Sequence, residues 1–270
     1  MRIARFVIDG DPQFGLVELE ADAGQFPDTI AALDGDPLAG PVNYTGARHA
    51  LSEVRLLAPV IPRSKVIGVG RNYAAHAAEL GNPIPDHPLL FFKPNTSVIG
   101  PDEPIVKPAP SQEMHFEGEL AVVIGRICRA VPVERAAEVI FGYTCANDVT
   151  ARDLQQEDTN WVRAKGFDTF CPLGPWIVTH MQIEEAEDLQ IVTSLDGEVL
   201  QDASTGLMIR KIAELISYIS NVCTLLPGDV ILTGTPAGVA AMEPGQSVSI
   251  EIDGIGTLTN PVIADQLAAQ

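Results

Sequence analysis

His115-Phe116-Glu117-Gly118-Glu119 runs directly into Leu120-Ala121-Val122-Val123-Ile124 and stops at Gly125. A short, apolar, β-branched run closed by glycine predicts a strand. Side chains alternate across a strand, so His115, Glu117 and Glu119 are expected on one face and Phe116 and Gly118 on the other. Two carboxylates aimed at one point in a partly buried site repel, and one stays protonated unless a cation sits between them. A divalent metal meets that need. A solvated acidic strand face is the plainer alternative, and Glu-x-Glu alone does not choose between them.

Upstream, Val66-Ile67-Gly68-Val69-Gly70 reads as a short buried strand, and Arg71 to Leu80 as an Ala-rich helix ended by Gly81, Asn82 and Pro83. His76 and Glu79 are three apart, the spacing at which a carboxylate can orient an imidazole for general-base work, although a surface pair has the same spacing. Pro83, Pro85 and Pro88 leave this segment free to open and close. Leu89-Leu90-Phe91-Phe92-Lys93 is a predicted strand, its lysine reaching solvent on the plain reading.

Downstream, Pro132 to Val139 reads as a short helix and Phe141 to Val149 as a strand. Thr150 fits an N-cap, with a helix starting at Ala151. Asp148 thus falls at a strand end, where sites collect in mixed folds, with Arg152 and Gln155 on the adjoining helix face. Lys165 follows in a small-residue segment, and Pro172 to Val178 is a strand. Asp196-Gly197 between Leu189–Leu195 and Glu198–Gln201 predicts a type I′ hairpin. Leu207 to Val222 carries apolar residues at helical spacing and should pack on the core. Val230 to Gly238 is a strand ending in Thr233-Gly234-Thr235-Pro236-Ala237-Gly238, a loop able to offer a hydroxyl and backbone N–H groups to an anion. Ser247–Asp253 and Thr257–Val262 make a last hairpin.

The start of the chain differs. Ile3 to Asp9 and Phe14 to Glu20 predict a hairpin, followed by a short helix near Asp28 to Leu33, and Pro59 and Pro62 mark a boundary. The expected organisation is a small N-terminal β-rich domain over 1–58 and a catalytic domain over 59–270.

A formal net charge of -19 disfavours nucleic acid and anionic lipid as partners, and requires local Lys or Arg for any anionic substrate. No apolar run reaches membrane-span length, and Met1-Arg2-Ile3-Ala4-Arg5 leads into a strand pattern and not a signal-peptide core, so a cytoplasmic location is expected. Cys128, Cys145, Cys171 and Cys223 form no Cys-x-x-Cys and read as reduced core cysteines.

Gly68-Val69-Gly70-Arg71-Asn72-Tyr73, Phe91-Phe92-Lys93-Pro94, His115-Phe116-Glu117-Gly118-Glu119-Leu120, Asn147-Asp148-Val149-Thr150-Ala151-Arg152-Asp153 and Leu232-Thr233-Gly234-Thr235-Pro236-Ala237-Gly238 together resemble the fumarylacetoacetate hydrolase family, in order, over about residues 65 to 262. The resemblance implies an α+β, mainly β fold, a mixed β-sandwich roll with short helices. It also implies a homodimer and a divalent cation, Mg²⁺ or Mn²⁺, held by Glu117, Glu119 and Asp148. By motif position the smaller acylpyruvase and oxaloacetate decarboxylase members are similar: their lid His and Glu fall on His76 and Glu79, and their substrate-contacting residues on Arg152, Gln155, Lys165 and Thr235. Lys93 falls on the Phe-Lys-Pro lysine. The N-terminal segment is more like bacterial members of hydroxymuconate isomerase and decarboxylase type.

That resemblance implies a small anionic 2-oxo acid as substrate, with Lewis-acid stabilisation of the enolate formed when the neighbouring C–C bond breaks. Decarboxylation needs nothing more. Hydrolysis needs an activated water, the role expected of His76 oriented by Glu79, and the same histidine could relay a proton in an isomerisation. A metal-bound dimer that binds a keto acid without turning it over is the alternative of another class.

Overall fold

The computed structural model describes residues 1–20 and 27–265; the intervening stretch and residues 266–270 lie outside it. Two sheets carry the architecture. The larger has twelve strands, with Gly118–Ile124 near its centre between Ile140–Asn147 and Val230–Leu232. Every residue of Gly118–Ile124 is buried, because both edges of this strand are paired and both faces are covered. Val230–Leu232 runs parallel to Val66–Gly70, which pairs antiparallel with Leu89–Lys93, so the sheet is mixed.

The second sheet has five strands and contains the Gln190–Leu195 and Glu198–Ser204 hairpin and the Ser247–Ile252 and Gly256–Ala264 hairpin. It packs face to face on the centre of the larger sheet. Asp196 and Gly197 both have positive φ, 51° and 85°, as a type I′ turn requires. The Ile212–Val222 helix buries Ile212, Leu215, Ile216 and Ile219 in the main core, the same cluster that takes Ile191, Ile250 and Leu258 from the second sheet. The helix expected from Leu207 begins only at Ile212; Leu207 closes a separate 3₁₀ turn, Thr205–Leu207, and Met208 bridges to the backbone of Tyr73.

The N-terminal hairpin forms as expected from Arg2–Val7 and Gln13–Glu18. The helix expected near Asp28 to Leu33 is a strand, Thr29–Asp34. Its Ala and Leu content favours a helix locally, but register pairing of Phe14 with Leu33 through Glu18 with Thr29 overrides that preference. Arg2 and Ile3 also pair with Val178 and Ile177, so the first strand continues the larger sheet. Among the described residues no helix is long and apolar enough to cross a membrane.

Candidate active site

The strand expected from His115 to Ile124 is interrupted at Phe116 and Glu117. Glu117 N–H donates to the side-chain oxygen of Asn147 (2.9 Å) instead of continuing the ladder, and Asp148 N–H donates to Glu117 O (2.9 Å). His115 therefore falls outside the strand that carries Glu119. It belongs to a two-residue ladder with Thr150, and its Nε2 lies 3.0 Å from Glu113 Oε1. The alternation survives where it matters. Phe116 is buried in an apolar cluster, and Gly118 lies so close to the second sheet that a Cβ there would collide with the Thr193 hydroxyl. Glycine between the glutamates is thus what allows the strand to approach Thr193 while both carboxylates turn the other way.

Glu117, Glu119 and Asp148 converge, with one carboxylate oxygen from each lying within 4.8 Å of the others. All three are almost fully buried. Asp148 stands just past the end of Ile140–Asn147, as the strand-end reading expected. Thr150 is not the N-cap. It sits in the short ladder with His115, its hydroxyl donates to Asp148 O (2.8 Å), and the helix begins at Arg152 without a side-chain cap.

Three cations close on these carboxylates. Lys165, from the Val162–Gly166 helix, bridges Glu117 Oε2 (2.7 Å) and Asp148 Oδ2 (2.6 Å). Lys93 does not reach solvent; its Nζ is buried against Asp148 Oδ1 (2.6 Å) and Val149 O (3.2 Å). Arg152 donates to Glu117, and to Gln155 Oε1 at 2.7 Å. Among the described residues Glu119 has only a backbone hydrogen-bond partner, Gly234 N–H at 2.7 Å.

The electrostatics follow from that asymmetry. Burial acts to raise the Glu117 carboxyl, but Lys165 and Arg152 overcome it and hold the group well below the usual carboxylate range. Burial, with Asp148 and Glu117 beside it, pushes Glu119 well above that range. Burial alone would lower Lys165, yet Asp148 and Glu117 hold it above its ordinary value. The acidic cluster thus has one member without a cation of its own. Its donors are hard carboxylate oxygens, the type Mg²⁺ and Mn²⁺ prefer, so the residues present fit a divalent metal.

The His76 helix forms the roof. It spans Ala74–Glu79, three residues shorter at its start than expected, because Arg71 has a left-handed φ of 57° and Tyr73 is extended in its bridge to Met208. Gly81 ends it at φ 66°, with Gly81 N–H to Ala78 O and Asn82 N–H to Ala77 O, a Schellman closure. His76 Nδ1 is 3.2 Å from Glu79 Oε2, and His76 Nε2 is 4.0 Å from Glu117 Oε1. Glu79 Oε1 also accepts Gly238 N–H (2.9 Å), tying the roof to the Thr233–Gly238 loop.

Thr235 lines the same cavity of about 340 Å³ as His76, the three carboxylates, Arg152, Gln155 and Lys165. Its hydroxyl proton is already donated to Gly118 O (2.8 Å), which leaves a lone pair for a ligand. The sequence reading missed Gln201. Buried, it accepts Gly118 N–H (3.1 Å) and donates to Thr235 Oγ1 (2.8 Å) and Pro236 O (2.7 Å), so it joins the glutamate strand to the loop. No local signal marks it, since its partners are remote in sequence. The four cysteines are free, and burial pushes the Cys171 thiol up to about 12, consistent with a core residue and not a nucleophile.

The profile of the fumarylacetoacetate (FAA) hydrolase C-terminal family matches residues 65–263, and that of the Rv2993c-like N-terminal family matches residues 1–59. Oxaloacetate tautomerase FAHD2A, mitochondrial, of Bos taurus is 42% identical over 267 residues, covering 92% of this chain and 84% of that one. The structure of 5-carboxymethyl-2-hydroxymuconate delta-isomerase from Mycobacterium smegmatis superposes with a TM-score of 0.88 at 49% identity, covering 98% of this chain and 100% of that one. Maleylpyruvate hydrolase from Sphingobium sp. SYK-6, in complex with manganese(II) and pyruvate, gives a TM-score of 0.80 at 32% identity over 98% of this chain and 100% of that one. With its carboxylate cluster, its roof histidine and these matches along nearly its whole length, the chain belongs to the fumarylacetoacetate hydrolase family.

Proposed function

We propose that this protein is a divalent-metal-dependent enzyme that carries a small, enolisable 2-oxo acid through its enolate and cleaves the neighbouring C–C bond of an oxaloacetate- or acylpyruvate-like substrate. The observation that carries the reading is the charge inventory around Lys165. Glu117, Glu119 and Asp148 supply three negative charges, and Lys93, Arg152 and Lys165 supply three positive ones. Glu117, Glu119 and Asp148 would hold Mg²⁺ or Mn²⁺, whose Lewis acidity would polarise the oxygens of a 2-oxo acid. With Glu119 ionised against the bound ion, three carboxylates, three cations and a divalent metal together leave two positive charges, matching the carboxylate and enolate oxygens of the reacting acid.

The protein's own groups divide the rest of the work. Lys165 offers a buried ammonium to developing negative charge in a site where water is scarce. Arg152, steadied by Gln155, orients the acid, and Thr235 would join it by turning its hydroxyl proton from Gly118 O to the ligand. His76, with Nδ1 turned to Glu79, presents Nε2 to the cavity, where it can take a proton from water for hydrolysis. Decarboxylation does not call on it.

A second reading, keto–enol or double-bond isomerisation, draws on the tautomerase and isomerase relatives and on the same Nε2 as a proton relay. Purified protein with Mg²⁺ or Mn²⁺ should be given oxaloacetate, acylpyruvates and a hydroxymuconate. Metal-dependent pyruvate release is the expected result, and enol consumption without pyruvate release would select the second reading. Homodimerisation, part of the same proposal, is checked by light scattering.

A further inference from the structure

An aromatic ladder leads away from the carboxylates. Lys165 Nζ lies 4.9 Å from the centroid of Phe91, Phe91 meets Trp161 edge to face at 5.5 Å, and the Arg71 guanidinium lies 5.9 Å from the Trp161 centroid. All four side chains line the cavity, whose wall also includes the exposed Leu80 and Gln156 and the half-buried Asn82.

Arg71 differs from the other cations of the cavity. Lys165 and Arg152 are bound to carboxylates, whereas among the described residues the Arg71 guanidinium has no hydrogen bond or ion pair, only the Trp161 ring. An unneutralised guanidinium on a chain of net charge -19 stands out for want of a counter-ion. Its position is also held. Asn72 clamps the next residue by accepting Arg210 N–H (2.8 Å) and donating to Thr233 O (2.7 Å). The Trp161 ring lies so close to Gly70 that a Cβ there would meet it at 2.7 Å. Arg71 itself adopts φ 57°, a conformation few residues other than Gly, Asn and Asp accept.

We infer that Arg71, seated on Trp161, is a specificity-determining residue that pairs with a second, terminal carboxylate of the substrate. The inference rests on the proposed function and narrows it to 2-oxo acids with a carboxylate at each end and several carbons between. The reacting end consumes the charge available at the floor, so a remote carboxylate needs its own cation. A guanidinium suits it, being planar, permanently charged and able to donate two parallel hydrogen bonds while stacked on an aromatic face.

The test compares butyrylpyruvate and succinylpyruvate, which have equal chain length and differ in the terminal methyl or carboxylate. Steady-state kinetics use the Mn²⁺-loaded wild type, Arg71→Met and Arg71→Lys. Wild type should prefer succinylpyruvate in kcat/KM by roughly ten- to a hundredfold, the span of a charge-assisted hydrogen bond. Arg71→Met should bring the preference to within about threefold, mostly through a higher KM for succinylpyruvate, and Arg71→Lys should restore part of it. No preference in wild type, a preference retained in Arg71→Met, or equal loss on both substrates would overturn the inference. Calorimetric titration of the same acids separates it from the reaction proposed: tighter binding of succinylpyruvate that is lost in Arg71→Met, without turnover of either acid, would leave Arg71 standing and remove the reaction. If neither acid binds, both fall.

Discussion

The floor of the cavity and the roof above it are built on opposite terms. Glu119 stands on a strand paired along both edges, Asp148 follows directly on its neighbour, and both are almost wholly buried. The roof helix has six residues, no side-chain N-cap, and two buried side chains, His76 and Ala77. A helix of that length has no stability of its own and exists by its attachments. Those attachments are the Asn72 and Tyr73 anchors at one end and the Gly81 closure with the Glu79 contact at the other. Charge that must be in place before the substrate arrives is set in the sheet, while His76, the proposed proton-handling group, is set on the element least costly to move.

The strongest test of the floor is Glu119→Gln. Glutamine can keep the hydrogen bond from Gly234 N–H but brings no charge to the metal. Metal affinity should fall by more than roughly a hundredfold, beyond the loss typical of an outer-shell partner, and activity should go with it. The metal-free variant should melt no lower than metal-free wild type, since a buried carboxylate without a cation costs stability when ionised. Calorimetric metal titration and thermal melts decide both points; unchanged metal affinity would remove Glu119 from the ligand set.

Lys165→Met asks whether the floor's positive charge is catalytic or only balancing. Turnover should fall by roughly a hundred- to a thousandfold on every substrate, with metal still bound. Removing one partner of a buried pair also costs roughly 3–5 kcal/mol, here by leaving Glu117 and Asp148 facing each other. Added Mg²⁺ should therefore raise the melting temperature of the variant more than that of wild type. Near-normal turnover would shift the role to Lys93 or Arg152.

This division was partly legible in the sequence. Period-two alternation gave the shared direction of Glu117 and Glu119, and Asp196-Gly197 gave its hairpin, because both are local properties of the backbone. The burial of Lys93 was not legible. A lysine after four apolar residues reads as reaching solvent, and only the return of the chain at Asp148 supplies its partner. The break between His115 and Gly118 was hidden because alternation assumes an unbroken strand, and Asn147 interrupts it through a side-chain hydrogen bond. The strand at Thr29–Asp34 was hidden for a related reason, its register being set by a neighbouring strand. Phe91 and Trp161 carried one faint signal: each lies close in sequence to a site lysine, at spacings that bring side chains to one side of a strand or helix.

His76→Ala tests the roof's chemistry against the floor's. If His76 activates water, hydrolysis of an acylpyruvate should fall by roughly a hundred- to ten-thousandfold. Decarboxylation of oxaloacetate should fall less than about tenfold, since loss of carbon dioxide generates the enolate without a nucleophile. Side-by-side kinetics of the two reactions settle it. Equal loss on both would assign His76 to the substrate proton or to closure, and would favour the isomerase reading.

The smallest effect is expected from the latch. Glu79 has two functions at once, Oε2 toward His76 Nδ1 and Oε1 toward Gly238 N–H, and its side chain is 32% exposed, so solvent competes for both. Glu79→Gln keeps the acceptor for Gly238 through its amide oxygen but removes the negative charge beside the imidazole. Glu79→Ala removes both. If orientation of His76 matters more than closure, the two variants should lose hydrolysis alike, by roughly ten- to a hundredfold. If the latch matters more, Gln should stay within about threefold of wild type while Ala falls further. Amide exchange over residues 74–80 supplies the independent readout. It should quicken in Glu79→Ala and stay near wild type in Glu79→Gln, because the roof helix has few other contacts to hold it once the Gly238 bond is gone. Unchanged exchange in Glu79→Ala would mean that Asn72, Tyr73 and the Gly81 closure hold the roof without help, and the contrast between a fixed floor and a movable roof would lose its main support.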